Sequence, residues 1–311
     1  MTVALLGSKT GCGPPVRSCG VSDVTIDLHT PSPDGLGEVV SRLRDWQHDA
    51  SPIQLHPGDL GWFWQFGAEA TARATRTWSR DGQVLAVGLL DGPDVLRLTV
   101  APGVRRDEEL ARQVLADAAD PQRGVLPVGR VSVEAPDGTL VQDLLTAAGW
   151  APDEPWTPLR RDLTEPVPEP DLRIEVVGPE QVGVYTAVHR SAWSSAKFTD
   201  ERWHTMAGGV PFADARSLLA LDDDGVAVAG LTVWSAGTGR PGLIEPMGVH
   251  ADHRRRGHGV AVCVAAAAEL RRMGSSSALV CTRSDLTAAV ATYRAAGFEP
   301  LQERLDRTRP A

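Results

Sequence analysis

The residues from Val249 to Gly259, VHADHRRRGHG, set three consecutive arginines beside two closely spaced glycines. Glycines let a backbone approach an anion, and the unpaired N–H groups of a first helical turn point at it. The helix dipole favours negative charge there, so a pyrophosphate fits. Glu245 lies just upstream, inside the apolar string LIEPMGV. A carboxylate is a costly guest among apolar neighbours, and partial burial would raise its pKa toward that of a working general base. Pro246 leaves its facing open, and an edge-facing or salt-bridged Glu is the plainer alternative. His250 and His253 are alternative bases, although loop histidines beside an arginine run are more often solvated.

These residues need a strand, a turn and a helix to hold them. LIEPMGV reads as a strand, and residues 259–273 as an Ala-rich helix ended by Gly274. Residues 277–282 read as a buried strand, residues 287–296 as a helix ended by Gly297, and the tail from Phe298 as a last strand. Upstream, LRIEVVG alternates like a strand, and residues 179–193 and 199–207 look helical. SLLALDDDGVAVAGLTVWSAG reads as two strands, with Asp222–Asp224 in a hairpin turn rather than a metal site. The first half repeats this plan at an offset of 148–149 residues, which indicates a duplicated domain. EPVPEP, from Glu165 to Pro170, is the linker. The expected organisation is a loose leader over 1–24, one domain over 25–165 and a second over 171–311.

The string Arg254-Arg255-Arg256-Gly257-His258-Gly259, five residues after Val249, resembles the acyl-CoA-binding motif of the GNAT N-acetyltransferase superfamily, Arg/Gln-x-x-Gly-x-Gly/Ala. The family's second motif, Ala-x-x-x-Tyr-x-x-x-Gly-Phe, is matched by Ala289, Tyr293, Gly297 and Phe298. The resemblance covers about 171–305 and extends weakly to 25–165, so the chain looks like a tandem GNAT protein. It implies an α/β (α+β) fold of two GNAT-like domains, each a mixed, mostly antiparallel sheet flanked by helices. It further implies that Met247, Gly248 and Val249 offer strand backbone to the pantetheine arm of acetyl-CoA. Arg254, Arg255, Arg256, Gly257, His258, Gly259 and Val260 would wrap the pyrophosphate. Where the family often has an Asn touching the cofactor, this chain has Leu286. Tyr293 would be the acid for the departing thiolate, with a core aromatic as its plainer role, and Glu245 the base.

In the first half, Glu108 and Leu110 stand where Gly257 and Gly259 stand, and Leu145 where Tyr293 stands. A carboxylate in an anion cradle opposes pyrophosphate, so that half is expected to bind no CoA. The implied activity is acetyl transfer from acetyl-CoA to a small-molecule amine by direct attack. The rival readings are a protein lysine or N-terminal acetyltransferase and a non-catalytic acyl-CoA sensor. Trp193, Phe198 and Trp203 are either pocket wall or helix core, and Trp62, Phe63, Trp64 and Phe66 are either core of the first domain or a wall facing the second domain's cleft.

Composition narrows the partners. The chain has 311 residues, 42% of them hydrophobic and 23% charged, which excludes intrinsic disorder. Lys and Arg number 15 against 24 Asp and Glu in residues 1–170, and 16 against 16 thereafter. An acidic first half argues against nucleic acid. No run approaches the ~20 apolar residues of a membrane span, and the start lacks a signal-like basic and apolar pattern. A cytoplasmic location and no membrane association are expected, and there is room for a homodimer. Cys12 and Cys19 read as idle tail thiols, and Cys263 and Cys281 as small core residues. No metal site is expected.

Overall fold

Alternating strands in the first half are laid down before and after a cluster of helices. The computed structural model describes residues 25–309, so the leader with Cys12 and Cys19 lies outside the described residues. The first half runs β1 (Asp27–His29), α1 (Leu36–Asp45), α2 (Pro57–Phe63), α3 (Ala68–Ala74), β2 (Thr75–Arg80), β3 (Gln83–Leu90) and β4 (Val95–Val100). It continues with α4 (Glu108–Ala119), β5 (Val131–Glu134), α5 (Leu140–Ala147) and β6 (Ala151–Asp162). The second half repeats the order with β7 (Arg173–Val176), α6 (Val182–Trp193), α7 (Asp200–Ala207), β8 (Ala215–Leu221), β9 (Ala227–Ser235) and β10 (Gly242–Val249). It closes with α8 (His258–Arg272), β11 (Ser277–Arg283), α9 (Thr287–Ala295), β12 (Glu299–Pro300) and β13 (Arg304–Arg309).

All strands form one sheet, in the order β1-β2-β3-β4-β5-β13-β6-β11-β10-β9-β8-β7, with β12 also on β6. The halves have exchanged their last strands. β6 of the first half pairs along seven rungs with β11, from Ser277 opposite Asp162 to Arg283 opposite Trp156. β13 of the second half pairs with β5 at Arg307 opposite Val133, and with β6 at Arg304 opposite Trp156. Among the described residues only the pairs β4·β5 and β10·β11 are parallel. The sheet therefore has a pseudo-twofold arrangement whose middle is woven from both halves.

Each half buries a core of its own. Leu96, Leu98, Leu110, Val114 and Leu145 pack the first sheet face under α4 and α5. Leu231, Val233, Ile244, Val262, Leu270 and Tyr293 do the same under α8 and α9. The helix α2 crosses to the second half. Gly58 and Gly61 face the Trp234 ring so closely that a Cβ on either would lie 2.6 or 2.3 Å from it, and only a glycine face can dock there. No helix among the described residues is long and apolar enough to cross a membrane.

Candidate active site

A cleft opens where β10 and β11 part. They pair at only two rungs, Gly242 opposite Ala278 and Leu243 opposite Leu279, and then diverge. Met247, Gly248 and Val249 keep their pairing with β9 and line the cleft on its other side. Its cavity volume is about 780 Å³, and Arg254, Arg255, Gly257, His258, Gly259 and Val260 close one end. Gly257, whose φ of 86° suits glycine, stands at the cap position before α8, and no side chain caps the helix's first N–H groups. A Cβ on Gly259 would lie 3.1 Å from Thr292 Cγ2. A bare helix terminus, open strand backbone and cationic loop fit the pyrophosphate and pantetheine of an acyl-CoA. Arg256 is exposed beside this end, and the Arg254 guanidinium donates to the Ala192 carbonyl. Leu286, 50% exposed, and Trp193, 40% exposed, form apolar rims.

The matching place in the first half is closed. There the side chain of Asp107 accepts the Leu110 N–H at 2.9 Å, so α4 carries its own anion at the terminus. Arg80 in turn binds Asp107 at 2.8 Å through both arms.

A second cavity, about 440 Å³, adjoins the cleft through Met247 and lies between the halves. Glu245 and Tyr293 both line it. Glu245 stands in a β-bulge, since Ile244 pairs with Val233 but Met247 with Leu231. Its displaced carbonyl accepts the indole N–H of Trp234. The Glu245–Pro246 bond is cis.

Across the cavity, α2 delivers Asp59. The His56 N–H donates to Asp59 Oδ2, His56 Nδ1 accepts the Gly58 N–H at 2.9 Å, and His56 Nε2 donates to the Pro241 carbonyl at 3.1 Å. This neutral tautomer agrees with burial lowering the His56 pKa to about 4. Arg97 reaches Asp59 at 2.7 Å and Glu134 at 3.0 Å, and Arg304 reaches Glu134 at 2.6 Å and Asp306 at 3.2 Å.

Glu245 and Asp59 line the same cavity and act on one another electrostatically. Burial, then the charge of Asp59, raises Glu245 well above the ordinary carboxylate value. Burial pushes Asp59 up as well, but Arg97, Glu245 and the His56 N–H outweigh it and hold its pKa down. Of the two carboxyls, Glu245 is therefore the one that holds a proton more readily. Burial raises the Tyr293 hydroxyl, so it stays protonated.

Other candidates separate from this centre. His250 and His253 meet edge to face, 5.5 Å apart, in the loop before α8 and line neither cavity. Phe198 and Trp203 are core residues. Trp62 lies against Trp193 and Phe198, with centroids at 5.9 and 4.9 Å, so it walls the second half. Phe63 packs in a first-half cluster, Trp64 is buried, and Phe66 is 48% exposed under Arg202. Asp222 Oδ1 accepts the Val226 N–H at 2.9 Å, as a hairpin turn requires. Cys263 is buried, while Cys281 borders the second cavity, and burial pushes both thiols up to about 12. Among the described residues no group of His, Cys, Asp and Glu could hold a metal ion.

The sequence reading missed Asp59, Arg97, Glu134, Arg304 and Asp306. Arg97 in VLRLTV and Glu134 in GRVSVE carry the signal that marked Glu245, a charge inside an apolar strand.

Residues 183–298 match the sequence profile described as Acetyltransferase (GNAT) family. No protein of curated function matches the sequence. The fold resembles a GCN5-related N-acetyltransferase from Sphaerobacter thermophilus, with a TM-score of 0.57 at 18% identity, covering 91% of this chain and 95% of that one. It equally resembles a tandem GNAT protein from the clavulanic acid biosynthesis pathway, with a TM-score of 0.57 at 19% identity over 91% and 98% of the two chains. Saccharomyces cerevisiae N-myristoyltransferase, solved with bound myristoyl-CoA, has a TM-score of 0.56 at 12% identity, covering 96% and 80%.

Proposed function

We propose that this chain, whose residues 183–298 belong to the acetyltransferase (GNAT) family, moves an acetyl group from acetyl-CoA to the amine of a small molecule in a ternary complex. Acyl transfer from an acyl-CoA follows from the family. The acetyl group, the amine acceptor and the roles of individual residues are the further steps. The observation that carries them is the meeting of two cavities at Met247, one suited to acyl-CoA and the other lined by Glu245 and Tyr293.

Acetyl-CoA supplies an electrophilic thioester carbonyl. Met247, Gly248 and Val249 hold the pantetheine arm, and residues 254–260 hold the pyrophosphate in the second half only. An ammonium acceptor in the second cavity gives its proton to the Glu245 carboxylate when that group is ionised. The amine nitrogen then bonds to the carbonyl carbon while the carbon–sulfur bond breaks. The Tyr293 hydroxyl delivers its proton to the departing sulfur, and the second proton that the nitrogen sheds as it becomes an amide returns Tyr293 to its hydroxyl form. No acyl-enzyme is needed, and neither Cys263 nor Cys281 is an ionised nucleophile near neutral pH.

The second cavity is walled by both halves, which favours a small molecule over a peptide segment. The test is CoA release by the full chain with acetyl-CoA and a panel of small amines, set beside lysine peptides. Release with small amines is expected. Release only with peptides would replace the acceptor, and binding of acetyl-CoA with no release in any case would make the chain a sensor.

A further inference from the structure

This inference rests on reading the cavity between the halves as the acceptor site, and it names the acceptor's chemical class. Seven carboxyl groups line that cavity, against the two guanidiniums of Arg97 and Arg304. Asp153 and Glu154, on its outer wall, are met from outside by Arg130 at 3.0 Å and Arg283 at 2.9 Å. Five inner carboxyls remain: Asp59, Asp91, Glu134, Glu245 and Asp306. Both inner guanidiniums are already engaged. Arg97 touches Asp59, Glu134 and, at 3.7 Å, Asp91, while Arg304 touches Glu134 and Asp306. Even with one proton on Glu245, the inner cavity keeps two negative charges more than positive ones.

Two buried oxygens have capacity left. Asp59 is 3% exposed and Asp306 9% exposed, and Oδ1 of each accepts no hydrogen bond, although each touches an arginine. They belong to separate poles. Asp59 and Asp306 end a chain of contacts that runs from Asp59 through Arg97, Glu134 and Arg304 to Asp306, and Glu245 feels the Asp59 end. Burial lifts Asp306 to about 6 against the pull of Arg304, and the negative charges of Glu134 and Asp153 add to the rise.

A single ammonium does not answer this. The nitrogen that attacks must first lose its positive charge, and the amide product is neutral. The charge that persists through the reaction has to be a second one. We infer that the acceptor is a compact molecule with at least two amines: one lies at the Glu245 pole and is acetylated, while the other stays an ammonium held at the Asp306 pole. A zwitterionic amino acid is disfavoured, since its carboxylate would meet the carboxyl-lined wall with no guanidinium to spare.

The test uses calorimetric titration of the full chain with three ligands sharing one carbon skeleton: putrescine, butylamine and γ-aminobutyrate. Putrescine is expected to bind at least about tenfold more tightly than butylamine, because its second charge adds an attraction in a partly desolvated site. γ-Aminobutyrate should bind no better than butylamine. Asp306→Asn, which keeps the side chain's shape, should remove the putrescine advantage and leave acetyl-CoA binding as it was. Equal affinities for putrescine and butylamine, preference for γ-aminobutyrate, or no putrescine binding would each overturn the inference. Because these readings come from the unmodified chain, they stand even if the variant fails to fold. Turnover separates the two layers: putrescine that binds without CoA release would refute acetyl transfer but not the dication site. Butylamine acetylated as efficiently as putrescine would leave acetyl transfer standing and refute the dication.

Discussion

The two parallel seams of the sheet, β4·β5 and β10·β11, start from the same plan and end in opposite states. In the first, Arg97 and Glu134 face each other as a rung and are bridged at 3.0 Å, and the helix beyond is capped by Asp107. In the second, the rungs stop at Leu243, a bulge turns Glu245 inward, and the helix begins at a bare glycine. The difference teaches where binding capacity resides in this architecture. A seam that satisfies its own backbone and charge becomes a wall, and one that leaves N–H groups and strand backbone unmatched becomes a cleft. The closed seam still serves the open one, since Arg97 and Asp59 from the first half set the charge around Glu245.

The severest test of this division is to remove the closed half. A chain of residues 168–311 lacks β6, which covers β11, and deprives β13 of both neighbours. It should fail to give a native, dispersed spectrum, and a soluble, fully active fragment would show that the halves are independent. Next comes the cradle. Gly257→Glu copies Glu108 of the closed half and forces a side chain into a left-handed backbone, so acetyl-CoA binding should fall by about a hundredfold or more. Calorimetry of the parent should give one site per chain, and two equivalent sites would erase the distinction between the seams.

Tyr293→Phe tests the chemistry assigned to the open half. Turnover should drop by about 10²–10⁴, with acetyl-CoA affinity nearly unchanged, because the ring keeps its packing and only the hydroxyl is lost. A variant within twofold of the parent would reduce Tyr293 to the packing role that Leu145 fills in the first half. Arg97→Met tests the seal. It strips the cation from two buried carboxylates and should lower stability by about 3 kcal/mol, read from the denaturation midpoint. The smallest effect is a shift in a pH profile. With Glu245 raised above the ordinary carboxylate range, the rate should climb with pH as that group ionises. Asp59→Asn removes a neighbouring negative charge, favours the ionised form and should move the rise to lower pH. Glu245→Gln should abolish it.

Much of this was legible in the residues. The loop from Arg254 to Gly259, the strand before it, the helix after it and the repeat at 148–149 residues rest on local periodicity, which sequence carries directly. β6 was not legible, because Pro152, Pro155 and Pro158 argue against a strand with neighbours on both sides. The sheet accommodates them by shifting the β13 register between Leu305 and Arg307 and by letting β12 cover only Leu159 and Arg160. Nor could the exchange of strands be foreseen, since alternation tells which face a residue takes and not which strand lies beside it. The acidic cavity escaped for a similar reason: its inner charges come from five distant stretches, and no local pattern tells that Asp59, Arg97, Glu134, Glu245 and Arg304 meet.

The woven centre also governs how the protein is made. Thr308 donates its hydroxyl proton to the Val131 carbonyl 177 residues earlier in the chain. At ordinary rates of synthesis, on the order of ten seconds separate the appearance of the two. During that interval β5 presents an unpaired edge, a hazard for association with other nascent chains. Such distant pairing makes for slow, late folding, so the native sheet can close only when the last strand emerges. Loss of a few C-terminal residues would then be felt as failed biogenesis of the N-terminal half. For a chain whose first-half seam is closed, that dependence ensures that no wall is finished without the cleft it serves.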